Sequence, residues 1–159
     1  MTKRIGLNLI LLLVLSFSSL FAADFDKTLI FAVAKNNFDR VRVALKSGAN
    51  INTNHIGNAG NTGLNIAARE GYIDMALYLL KNGADPNIEN KSKRTPIIYA
   101  AERGNGTLIK ALIQEGADIH HKDKWKNTAL HLAIYKDQAH VIHLFQSAGL
   151  DLDAFSIMD

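Results

Sequence analysis

Apolar residues along this chain recur in short bursts at intervals of three and four, the spacing that lines one face of a helix. Leu64, Ala67 and Ala68 form one such face, and after Gly71 a second burst follows in Ile73, Ala76, Leu77, Leu79 and Leu80. The pattern predicts two short amphipathic helices separated by a turn. A similar pair opens earlier, with Leu29, Ile30, Ala32 and Val33 followed by Val41, Val43, Ala44 and Leu45, and Asp24 or Asp26 stands ready as the N-cap of the first helix. Gly83 and Gly116 fall just past second helices, where a left-handed backbone costs glycine little.

The helix pairs are copies of one unit. Thr62-Gly63-Leu64-Asn65-Ile66-Ala67-Ala68 is echoed by Thr95-Pro96-Ile97-Ile98-Tyr99-Ala100-Ala101 and, after the same interval again, by Thr128-Ala129-Leu130-His131-Leu132-Ala133-Ile134. A second phrase runs in step: Gly48-Ala49-Asn50-Ile51-Asn52, Gly83-Ala84-Asp85-Pro86-Asn87, Gly116-Ala117-Asp118-Ile119-His120 and the worn Gly149-Leu150-Asp151-Leu152-Asp153. Their glycines keep the same interval, except that the first gap, from Gly48 to Gly83, is slightly longer. A fixed period in this range means stacked units, none of which buries its apolar face without neighbours.

Both phrases and the period resemble the ankyrin repeat, over about residues 25 to 155. The resemblance implies an all-α solenoid of four helix-turn-helix repeats, about 25–56, 57–89, 90–122 and 123–155, with a β-turn finger projecting between successive pairs. It also implies a protein that binds other proteins rather than catalysing. Small Ala67, Ala68, Ala100 and Ala101 suit the close helix stacking of that family, and Asp85, Asn87 and Asp118 are placed to bond backbone groups at the finger bases.

The ends depart from the pattern, as capping repeats do. Arg40 and Arg42 make the first repeat more polar. The last repeat has Asp137 in place of the inter-helix Gly, and Phe155, Ile157 and Met158 are expected to fold back over its helices. The two surplus residues of the first gap fall between Thr53 and Asn61, which predicts a longer first finger, read as a tolerated insertion.

Residues 1–23 are of another kind. Lys3 and Arg4 precede an apolar stretch from Ile5 to Leu15, and Ser16, Ser18 and Ser19 lead to Ala22 and Ala23. This is the pattern of a secretory signal peptide, with residues 24–159 as the mature domain. The alternative is an uncleaved inner-membrane anchor, since Leu20 and Phe21 bring the apolar length near the ~20 residues that span a bilayer. The chain has no cysteine, which excludes disulfides, thiolate chemistry and lipid attachment through a thioether, and suits a bacterial periplasm. Processing lowers the formal charge from +3 to +1, so overall charge selects no partner.

Local charge says more. Mapping the motif puts Lys91, Ser92, Lys93 and Arg94 on one finger and Lys122, Asp123, Lys124, Trp125, Lys126 and Asn127 on the next, so six basic side chains flank the chain's one Trp. Arg69, Glu70, Glu102, Arg103, Tyr135 and Lys136 fall on neighbouring exposed helix ends. An aromatic among cations is the mixture of a binding hot spot, here for a protein with an acidic surface. Single-stranded nucleic acid would suit the same residues, but export argues against it.

Six histidines raise metal or haem carriage. His131 occupies the motif His and reads as structural. His120 and His121 lie at a finger base. His140 and His143, at i and i+3, share a helix face, but no third ligand accompanies them, so no metal or other cofactor is expected. No Gly-rich phosphate loop, Gly-x-Ser-x-Gly elbow or His-Glu-x-x-His pair occurs, and no enzyme is expected. The reading is a monomeric, exported interaction protein. Two narrower roles fit the resemblance: immunity against a toxin delivered to the periplasm, or support of an exported enzyme such as catalase.

Overall fold

A computed structural model describes residues 24–54, 57 and 59–150. Residues 1–23, expected from sequence to be a signal peptide, the tail bearing Phe155, Ile157 and Met158, and His55, Ile56 and Asn58 of the first finger lie outside the described residues. Among the described residues, eight helices follow one another in pairs: α1 (24–34) and α2 (Phe38–Lys46), α3 (Gly63–Glu70) and α4 (Ile73–Lys81), α5 (Pro96–Glu102) and α6 (Gly106–Gln114), α7 (Ala129–Tyr135) and α8 (Ala139–Ser147). The same residues contain no strand, only an isolated antiparallel bridge between Asn54 and Thr62.

The repeated Thr explains where α3, α5 and α7 begin. Thr62 and Thr128 are N-caps whose hydroxyls accept from the N–H of Asn65 and His131, and Thr95 is followed by Pro96 at the position where a missing N–H costs nothing. Asn37 and Asn105 cap α2 and α6 in the same manner. Gly83 and Gly116 adopt φ of 88° and 82°, as their place past the second helices requires. The turn within each pair also passes through the left-handed region, at Asn36, Gly71, Gly104 and Asp137. Asp137 takes φ of 55° where the middle repeats use glycine, a conformation that a short polar side chain tolerates.

Helices pack within a pair and against the equivalent helices of the adjacent repeats: α3 on α5, α5 on α7, α4 on α6 and α6 on α8. Equivalent positions form rows through the stack. Ala44, Leu79, Leu112 and Phe145 are all fully buried. Ala67, Ala68, Ala100 and Ala101 are buried too, consistent with the close approach expected of them.

Two rows show how the stack ends. Met75, Leu108 and Val141 are fully buried, whereas Arg40 holds that position in the first repeat and is exposed. Val33, Ala68 and Ala101 are buried in their row, and Ile134 of the last repeat is 45% exposed. The first row is covered from the N-terminal side and the second from the C-terminal side, so the first and last described repeats each expose one row that stacking covers in the others.

The Gly-Ala-Asp/Asn phrases form a polar ladder. Asn52 Oδ1 accepts from Asp85 N–H at 2.9 Å, and Asn87 Oδ1 accepts from Asp118 N–H at 2.8 Å, joining successive repeats. Within each phrase Asp85 and Asp118 accept from the N–H two residues on, at 2.8 and 2.9 Å. The finger-base role expected for Asp85, Asn87 and Asp118 is therefore present, and it extends across repeats.

Candidate functional site

The second and third fingers share one architecture built on one side chain each. Asn90 Oδ1 accepts from the N–H of Ser92 and Arg94 at 2.8 and 3.0 Å, and Asp123 Oδ1 accepts from the N–H of Trp125 and Asn127, both at 2.9 Å. Asn90 and Asp123 are buried and occupy equivalent positions of successive repeats. Each closes a tight loop whose fourth residue, Lys93 or Lys126, is left-handed with φ of 55° or 67°. Main-chain bonds then tie finger to finger: Lys91 N–H to Ala59 O and Lys124 N–H to Ser92 O, each 3.0 Å.

Arg94 joins the two fingers through its side chain. Its Nη1 donates to Glu102 Oε2 at 2.9 Å and its Nε to the buried Asp123 Oδ2 at 3.4 Å. The guanidinium also lies 5.6 Å from the Tyr99 ring centre and 5.4 Å from that of Trp125. Lys124 Nζ sits 4.2 Å from the same indole, a distance at which cation–π attraction is effective. Trp125 nevertheless remains 55% exposed.

The residues singled out from sequence thus fall into two groups. Lys91, Ser92, Arg94, Lys122, Lys124, Trp125 and Lys126 cluster on the fingers, where Lys91, Lys122, Lys124 and Lys126 are exposed, Ser92 is half-buried and Arg94 is committed to ion pairs. Arg69, Arg103 and Tyr135 lie at the other end of the short helices, about 11 Å away by the helical rise over seven residues. There Arg69 pairs with Glu70 at 2.9 Å, Arg103 Nε donates to Arg69 O, and Tyr135 is 80% exposed with Lys136 Nζ 5.4 Å from its ring centre. The roles of Asn90 and Asp123 as finger organisers were not read from the sequence, although two side chains able to accept backbone N–H groups, matched one repeat apart, were there to find.

The histidines are mostly engaged with backbone. His140 Nε2 donates to Gly104 O at 2.7 Å, and His121 Nε2 to Lys93 O at 2.8 Å with Glu89 Oε2 3.4 Å away. Among the described residues no three His, Cys, Asp or Glu side chains are grouped to hold a metal ion, around His140 and His143 or elsewhere. His131 completes a capping box: its Nδ1 accepts from the N–H of Thr128 at 3.1 Å and lies 2.8 Å from Thr128 Oγ1.

Burial, reinforced by Lys122 and opposed by Asp123, holds the His131 imidazole below its ordinary pKa. A base so depressed is protonated more readily in the unfolded chain, so it contributes full stability above pH ~6.5 and loses it as pH falls toward the folded value. His131→Asn, which copies Asn65 in the second repeat, is expected to flatten the fall in urea midpoint between pH 7.5 and pH 5. An unchanged pH slope in the variant would assign the acid sensitivity to other groups.

Stacked helix pairs holding projecting loops at fixed spacing define a helical repeat solenoid with a displayed surface. Residues 78–156 match a family model for ankyrin repeats in three copies, and residues 45–100 match a second for ankyrin repeats in many copies. The chain belongs to the ankyrin repeat family. It is 28% identical over 83% of its length to an ankyrin repeat protein of Rickettsia felis, of which it covers 44%. It is 30% identical over 82% of its length to an ankyrin repeat and KH domain-containing protein of Caenorhabditis briggsae, covering 5% of it. It is also 34% identical over 60% of its length to an ARF GTPase-activating protein of Homo sapiens, covering 12%. The chain thus spans less than half the length of each of these relatives. Ankyrin repeats generally mediate protein–protein interaction and are generally non-catalytic.

Proposed function

We infer that this chain is an exported, monomeric, non-catalytic binding protein that holds one protein partner with an acidic surface against its second and third fingers. The observation that carries this reading is Trp125, which stays 55% exposed although two cations lie over its ring. Lys91, Lys93, Lys122, Lys124 and Lys126 are exposed on the same two fingers, and among the described residues none of them pairs with a carboxylate. A broad aromatic supplies contact area at small entropic cost, and the surrounding cations steer an acidic partner. Because Arg94, Asp123 and the main-chain links fix the fingers beforehand, little freedom is lost on docking.

Export is supported by the charged, apolar and Ser/Ala-rich parts of residues 1–23 together with the lack of cysteine. Among the described residues no helix is long and apolar enough to cross a membrane. The test is affinity recovery from periplasmic extract on immobilised residues 24–159, beside the Trp125→Ala, Lys124→Glu double variant. A single partner held by the parent and lost at least tenfold by the variant, with thermal unfolding unchanged, is the expected result. Equal recovery by both proteins would remove the fingers from the reading. Identification of the captured protein distinguishes a toxin, which would mean immunity, from an enzyme such as catalase, which would mean a supporting role.

A further inference from the structure

A cleft of about 1110 Å³ opens at the turn end of the helices, away from the finger tips, and spans the last three repeats. Cations outnumber acids on its walls: Arg69, Arg103, Lys110 and Lys136 face only Glu70 and Glu102. Both acids are already neutralised. Glu70 pairs with Arg69, and Glu102 is held by Arg94 at 2.9 Å from the finger side. Arg103 spends only its Nε, on a backbone carbonyl, and Lys110 and Lys136 have no carboxylate partner among the described residues. The cleft therefore carries uncompensated positive charge within a partly apolar wall that includes Ile73 and Leu144.

These cations are spaced by the fold. Arg103 and Lys136 are equivalent positions of adjacent repeats, and Arg69 occupies the neighbouring position one repeat earlier. Packed helices lie about 8–10 Å apart, so the main chain sets Arg103 and Lys136 about that far apart, while Arg69, held by Glu70, adds no free charge to the row. A polyproline II segment has three residues per turn and a rise of about 3.1 Å per residue, which sets every third side chain on one face about 9 Å apart. A β-strand does not match, because its side chains three apart point to opposite faces.

We propose that this cleft is a second binding site, distinct from the fingers, for an acidic peptide segment in the polyproline II conformation with a carboxylate at every third residue. Recognition comes from register between carboxylates and repeats rather than from charge alone. The site stands independently of the finger reading, since none of its cations lies on a finger.

Two peptides of equal charge and composition test it by titration calorimetry on residues 24–159: acetyl-EPPEPPEPP-amide, with acids at the required spacing, and acetyl-EEEPPPPPP-amide, with acids in a block. The spaced peptide is expected to bind at least tenfold more tightly than the block isomer. Lys136→Glu and Lys110→Glu are each expected to weaken it at least tenfold, and Lys136→Met to weaken it less, with all three unfolding at the parent temperature. The Trp125→Ala, Lys124→Glu variant should bind it as the parent does, so failure of the finger site and failure of this one are told apart. Equal affinity for the two isomers, no saturable binding of either, or tighter binding of inorganic tripolyphosphate than of the spaced peptide would each overturn the proposal.

Discussion

Replacing Leu112 by Ala lowers the free energy of unfolding by about 2–5 kcal/mol. Leu112 is fully buried on α6, which packs against α4 on one side and α8 on the other. Its row reads Ala44, Leu79, Leu112 and Phe145, so alanine already occupies the position in the first repeat. What matters is the neighbourhood rather than the residue type. In the middle of the stack the lost side chain leaves a cavity that rigid helices on both sides close only in part, and the cost grows with the volume left. Urea unfolding at neutral pH measures the effect, and a loss under about 0.5 kcal/mol would mean that the row collapses freely and the stack is looser than the packing indicates.

Asp123→Ala is expected to cost about 2–4 kcal/mol, because it strips the acceptor from two finger N–H groups and leaves the half-buried Arg94 with one carboxylate instead of two. Asp123→Asn separates these effects. Asn90 organises the preceding finger with an amide whose NH2 donates to Asn61 Oδ1 and the Tyr99 hydroxyl, so Asn at 123 keeps the turn but puts a donor where Oδ2 accepts from Arg94 Nε. A cost of about 1–2 kcal/mol, below that of the Ala variant because the loop bonds are kept, follows. Trp125 fluorescence reports the geometry directly, since Arg94 lies over the indole: the Ala variant shifts the emission and the Asn variant holds it near the parent. Equal costs for both substitutions would show that the ion pair, and not the loop bonding, is what Asp123 supplies.

The architecture was legible because the sequence states it repeatedly. Thr62, Thr95 and Thr128 mark helix starts, the Gly-Ala-Asp phrases mark finger bases, and each copy confirms the others. The polar first cap was legible from Arg40, which replaces a buried apolar row. Arg94 was harder to read. In sequence it is one of six basic residues near a Trp, and only stacking shows that Glu102, eight residues on, and Asp123, a repeat later, converge on its guanidinium. The cleft was harder still. Arg69, Arg103 and Lys136 were visible as exposed helix ends, but Lys110 sits on an outer helix with nothing local to distinguish it. That it shares a cavity with them depends on how helix pairs tilt in the stack, which no short window of sequence encodes.

The packing of each helix against its own pair and the adjacent repeats shapes how the molecule comes apart. The main helix contacts reach no further than the adjacent repeat, so loss of order is expected to begin at an end and move inward one repeat at a time. The third finger sits on that front. Its Lys124 N–H and Asp123 are held by Ser92 and Arg94 of the third repeat, while Thr128 hands its chain directly to α7 of the last. Melting of the final helix pair therefore leaves the Trp125 loop tethered on one side only, and amide exchange at Trp125 and Asn127 reads out the opening free energy of the terminal repeat rather than that of the whole protein.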